Sequence, residues 1–76
     1  MNKRRRAKLC EALSLLRDAY SIVDRAYDEE SDAFDNIPDN LKESERGQKT
    51  EETVDELYSA SDFIDDAIDA INNAIE

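Results

Sequence analysis

From residue 54 to residue 75 the apolar side chains return every three or four positions, so that Val54, Leu57, Ile64, Ile68, Ile71 and Ile75 form one line, interrupted by Ser61. Each residue advances about 100° around an α-helix, and steps of three and four therefore keep these side chains on one face, whereas a strand would scatter them over both. A second line, Ala60, Phe63, Ala67, Ala70 and Ala74, runs beside the first and makes the apolar strip broader than the two-position seam of a coiled coil. The positions between are acidic. From Thr50 to Glu76 there are nine Asp and Glu residues and no Lys or Arg. Such a segment must be a helix that buries one face and shows an acidic one to water.

The first half repeats the pattern. Leu9, Leu13, Leu16, Tyr20, Val23, Tyr27 and, past Glu30, Phe34 make its seam, widened by Ala12, Leu15, Ala19, Ile22 and Ala26. One glycine and one proline leave little material for the turns of a sheet fold. The strongest turn signal is Asn36-Ile37-Pro38-Asp39-Asn40, where Pro38 disfavours the helical region for Ile37 and the Asp and Asn side chains accept from nearby amides. The expected fold is all-α: a single domain over residues 1–76, with helix one at about 5–33, a turn at about 34–41 and helix two at about 42–76.

The two helices are expected to form an antiparallel, coiled-coil-like hairpin. Asn40 with Glu43 is a plausible capping pair for helix two, and Asn36 with Pro38 is a competing start. Gly47 disfavours helix by about 1 kcal/mol relative to alanine and is the expected weak point, where helix two could break. With the turn centred near Ile37, Val54 comes near Ile22, Ile64 near Leu13 or Leu9, and Ile71 and Ile75 face residues 1–6, which offer no apolar match. Both helices are apolar over more area than one neighbour covers, and a chain this short is near the limit of what one core stabilises. Pairing of hairpins into a homodimeric four-helix bundle is expected, with Leu57, Ile64, Ile68, Ile71 and Ile75 as the candidate seam for a second copy or another partner.

Charge and composition narrow the chemistry. The absence of histidine excludes imidazole metal sites and histidine-assisted nucleophiles. Asp62 with Asp66 and Asp65 with Asp69 share helix faces, but calcium and magnesium need several oxygens converging from a tight loop, and neither such a loop nor a phosphate-binding glycine loop is present. No cofactor, no metal and no enzymatic activity are expected. The lone Cys10 forms no internal disulfide, and with no secretory leader or apolar span of membrane length the expected compartment is the cytoplasm of a bacterial host.

Five of the ten basic residues fall in the first eight positions, Lys3, Arg4, Arg5, Arg6 and Lys8, against twenty acids in the chain. A run of this kind can contact nucleic acid, but the net charge of −10 repels phosphates, and pairing with the acidic helix two is the plainer expectation. Asp55, Asp62, Asp69 and Glu76 lie seven apart, with Asp65 and Asp66 between, giving a line of negative charge at steps of about 10 Å. These six residues are the candidate partner-binding face, since such a line can compete for a groove built to hold nucleic-acid phosphates. A merely solvated face is the alternative.

The stretch Asn36-Ile37-Pro38-Asp39-Asn40-Leu41-Lys42-Glu43-Ser44-Glu45-Arg46, followed by Glu51-Glu52 and Val54-Asp55-Glu56-Leu57, resembles small helical proteins of phages and prophages of Gram-positive bacteria. In those proteins a proline-containing turn and a Leu-x-Glu-Ser-Glu-Arg stretch precede a terminal helix with repeats like Ile64-Asp65-Asp66-Ala67-Ile68-Asp69-Ala70-Ile71. The likeness covers roughly the C-terminal half. It implies a short helical hairpin of viral or mobile-element origin and supplies neither a function nor catalytic residues. Joined to the acidic face, it leads to the expectation of an inhibitor of a basic, nucleic-acid-binding host enzyme of restriction or CRISPR type. The competing expectation is an assembly module that dimerises or recruits a helical partner through its apolar seams.

Overall fold

The computed structural model describes Met1–Glu76 as two long helices joined by a compact connection: α1 (Lys3–Asp35), a 3-10 turn over Asp39–Leu41, and α2 (Glu45–Ile75). α1 starts ahead of the expected boundary because Asn2, in extended backbone, accepts the Arg5 amide on its side-chain oxygen at 2.8 Å. That cap satisfies one of the free N–H groups of the first turn. It acts against the end charges, for α1 has no acid in its first turn and no base in its last, and each such mismatch with the helix dipole costs about 0.3–1 kcal/mol.

The connection corrects the expected start of helix two. Asn36 closes α1 through its amide to the Asp32 carbonyl at 3.0 Å, and residues 39–41 then make a separate 3-10 turn, with Leu41 N–H donating to Pro38 O at 2.8 Å. α2 begins only at Glu45. Its cap is Ser44, whose hydroxyl accepts from Gly47 N–H at 3.2 Å and donates to Leu41 O; neither Asn40 nor Asn36 has that role. Lys42 folds back over the connection, its ammonium 5.1 Å from the Phe34 ring centre and 3.4 Å from an Asp39 carboxylate oxygen.

The expectation of a weak point or break at Gly47 is also corrected. Gly47 lies in the first turn of an unbroken α2, has an ordinary negative φ and is buried. A Cβ there would lie 2.6 Å from the Lys42 carbonyl carbon and 2.8 Å from Leu41 O. The glycine is the space into which the preceding turn folds, a demand of tertiary packing rather than of backbone angle.

The late start of α2 shifts the register. The Tyr27 and Tyr58 rings lie 5.9 Å apart at a 54° tilt, Phe34 shares a groove with Glu51 and Val54, and Tyr20 shares one with Ser61 and Asp65. Opposed residues are thus displaced from the arrangement centred on Ile37, and the same stagger carried along both helices puts Ile22 level with Phe63, Leu13 level with Asn72, and Leu9 level with Glu76. Ile71 and Ile75, expected to be unmatched, therefore come to the level of the Leu9–Leu13 turn, where both are half-buried. The basic residues 3–8 overhang the end of α2. For that reason the expected pairing of the basic start with Asp65, Asp66 and Asp69 does not form: the structure's ion pairs, Lys8–Glu11 and Lys42–Asp39, are both local.

The result is a rod of 58 × 15 × 14 Å with a radius of gyration of 17.2 Å, where a compact chain of this length would have about 11 Å. Leu13, 4% exposed, is its one fully buried apolar side chain.

Candidate protein-binding surfaces

Two antiparallel helices that meet along a seam leave two flanks, and the sequence assigns them opposite characters. One flank is visible as a shallow groove lined by Tyr20, Asp24 and Tyr27 of α1 and by Tyr58, Ser61, Asp62 and Asp65 of α2. Three carboxylates and three phenol rings share it. Asp28 continues the acidic side of α1 one turn beyond Asp24, while Arg17 and Arg25 are the two positive charges of α1 past the basic start. In the lining of this groove the Ser61 hydroxyl is shielded from water and has no hydrogen-bond partner, which marks the one polar interruption of the α2 seam as a buried, unsatisfied group.

The six expected acidic residues distribute as their spacing requires. Asp55, Asp62, Asp65, Asp66, Asp69 and Glu76 are all exposed. Asp62 and Asp65 come together on the groove with Asp24, whereas Asp55, Asp69 and Glu76 continue the seven-residue line of Asp62 along the rod and Asp66 lies farther from the seam. Asp24 and the tyrosines were not among the sequence candidates. The signal was present: Asp24 follows Tyr20 by four and Tyr58 precedes Asp62 by four, so each flanks its seam on the same side, but the stagger that brings the two flanks together depends on the connection. No group of three or more acidic or Cys side chains converges as a metal ion would need.

The expected partner seam lies elsewhere in the structure. Leu57, Ile64, Ile68, Ile71 and Ile75 are half-buried along the line where α2 meets α1. The most exposed large apolar side chains are instead on the second lines, Leu15 at 65%, Ile22 at 71% and Phe63 at 71%, while Met1, Leu41 and, on the acidic flank, Tyr58 are also exposed. Because the Asp24 and Asp65 edges of the two helices share the first flank, the Leu15–Ile22 edge of α1 and the Phe63–Ala70 edge of α2 share the second. This flank is apolar from Ala12 to Ala26 and from Ala60 to Ala74.

No helix of the chain is long and apolar enough to cross a membrane. No protein-family model matches the sequence, no curated protein matches it, and no solved structure matches it.

Proposed function

We propose that this chain is a protein-binding hairpin of phage or mobile-element type, which pairs with a second copy through its apolar flank into a four-helix bundle and presents the acidic flank to a basic partner. The observation that carries the reading is the division of the rod lengthwise: Leu15, Ile22 and Phe63 exposed on one side, Asp24, Asp62 and Asp65 around a tyrosine-lined groove on the other. One surface can be covered without hiding the other. The partner that fits an acidic line at helical spacing is a surface made to hold nucleic-acid phosphates, such as that of a restriction or CRISPR effector, and the protein then acts as an inhibitor by occupying that surface.

The test is capture of partners from a bacterial lysate at low and high salt, with wild-type protein and a variant in which Asp62, Asp65, Asp66 and Asp69 are replaced by asparagine. A salt-sensitive partner lost by the variant supports the inhibitor reading. A partner held equally at both salts and by the variant removes it. The exposed Leu15, Ile22 and Phe63 favour a second reading, an assembly module whose acids only keep it solvated. Under that reading Phe63→Asp abolishes partner capture and the asparagine variant does not.

A further inference from the structure

The apolar flank carries more information than a patch. On α1 its outer line, read every seven residues, is Lys8, Leu15, Ile22 and Glu29: basic, apolar, apolar, acidic. Reversed end for end, this line is its own complement. On α2 the corresponding line is Glu56, Phe63 and Ala70, with Glu56 level with Glu29, Phe63 level with Ile22 and Ala70 level with Leu15. A large side chain and a small one thus lie on either side of the same midpoint.

We infer that the second copy seats on this flank with its long axis reversed, about a two-fold axis that crosses the rod between the Leu15 and Ile22 levels, close to Ala19 and Ala67. This rests on the homodimer reading above and specifies its geometry. The axis stacks α1 on α1 and α2 on α2, running in opposite directions. Leu15 of each copy meets Ile22 of the other, Phe63 meets Ala70, and Lys8 meets Glu29, every contact occurring twice as an isologous interface requires. The overhanging basic start, whose one ion pair in its own hairpin is the local Lys8–Glu11 contact, reaches the acidic turn-proximal end of its neighbour around Glu29 and Asp32.

Area leaves room for a partner of interface size, and charge selects a second copy as the occupant. The chain exposes 5923 Å2, whereas a compact monomer of its 8.7 kDa mass exposes about 4,700 Å2. The excess, about 1,200 Å2, is more than the roughly 800 Å2 per partner that a stable interface covers. The other two-fold arrangement of the same flanks keeps the levels aligned and stacks α1 on α2; it sets Glu29 against Glu56 twice, crowds Ile22 against Phe63, and leaves Lys8 facing no acid on that line. Like charges directly opposed make that arrangement the poorer one. Lys8 is free to move, since its pair with Glu11 is a 3.8 Å contact between side chains that are 73% and 66% exposed.

The test combines mass and cross-linking, all in full-length chain carrying Cys10→Ser. Sedimentation should give twice the 8.7 kDa chain mass, reverting to monomer with Phe63→Asp while circular dichroism keeps its helical signal. Mixing a Lys8→Cys chain with a Glu29→Cys chain and oxidising mildly should give a disulfide-linked pair. Lys8→Glu should weaken the dimer by about tenfold, and adding Glu29→Lys should restore it. A monomer at every concentration overturns both this geometry and the homodimer reading. A dimer in which Glu29→Cys chains link instead to Glu56→Cys chains, and not to Lys8→Cys chains, overturns the reversed geometry alone.

Discussion

Replacing Gly47 with alanine should destabilise the hairpin, although a glycine inside a 31-residue helix ordinarily invites the opposite result. On propensity alone the substitution is worth about 1 kcal/mol in favour of the folded state, partly through a less disordered unfolded chain. The structure opposes this with a steric term. The new Cβ would lie 2.6 Å from the Lys42 carbonyl carbon and 2.8 Å from Leu41 O, which are backbone atoms and cannot rotate away. Relief requires moving the 3-10 turn off α2, at an overpacking cost of about 1–3 kcal/mol. The same movement strains the Ser44 cap, whose 3.2 Å bond to Gly47 N–H and 3.1 Å bond from Ser44 N–H to Leu41 O tie the two elements, and loss of a cap is worth about 1 kcal/mol. The net expectation is a loss of about 1–3 kcal/mol, a fall in the thermal midpoint of roughly 5 °C or more in a domain of this size. Thermal and urea unfolding of Gly47→Ala, followed by circular dichroism, measure it. A variant more stable than the parent by about 1 kcal/mol would refute the close-approach argument and make Gly47 a mere helix defect.

The remaining expectations concern the cap, the seam and the core. Ser44→Ala should cost about 1 kcal/mol in urea unfolding, while Asn40→Ala, which removes no cap, should stay within about 0.5 kcal/mol. Ser61→Ala removes a buried hydroxyl with no partner and should stabilise by about 0.5–1.5 kcal/mol; a loss of stability would mean that the hydroxyl is bonded in solution. Leu13→Ala, at the one fully buried apolar position, should cost about 2–5 kcal/mol and is the single substitution most able to unfold the chain, as loss of the helical signal at room temperature would report. A double-mutant cycle on Tyr27 and Tyr58 should return a coupling of about 0.5–1.5 kcal/mol, and none if the two rings do not meet.

Local rules carried the class of the fold. The three-and-four spacing of Leu9 to Phe34 and of Val54 to Ile75 determines two helices and which side of each is apolar, because helical period depends only on backbone geometry. The acidic line of Asp55, Asp62, Asp69 and Glu76 follows from the same arithmetic. The surplus of apolar surface was equally legible, since Leu15, Ile22 and Phe63 sit off the seams in the sequence as they do in the rod. What the sequence could not supply was the stagger between the helices. That depends on how residues 36–44 fold, and there the competing local signals at Asn36, Pro38, Asn40 and Ser44 are of similar strength; the packing of the 3-10 turn against Gly47 decides among them. One stagger leaves Ile71 and Ile75 unmatched and lays the basic start against acids. The other, which the tertiary structure adopts, matches those isoleucines, leaves the basic start overhanging, and sets Asp24 beside Asp62 and Asp65. Helical period acts within a few residues, but register is a property of two segments at once, so only their contact determines it.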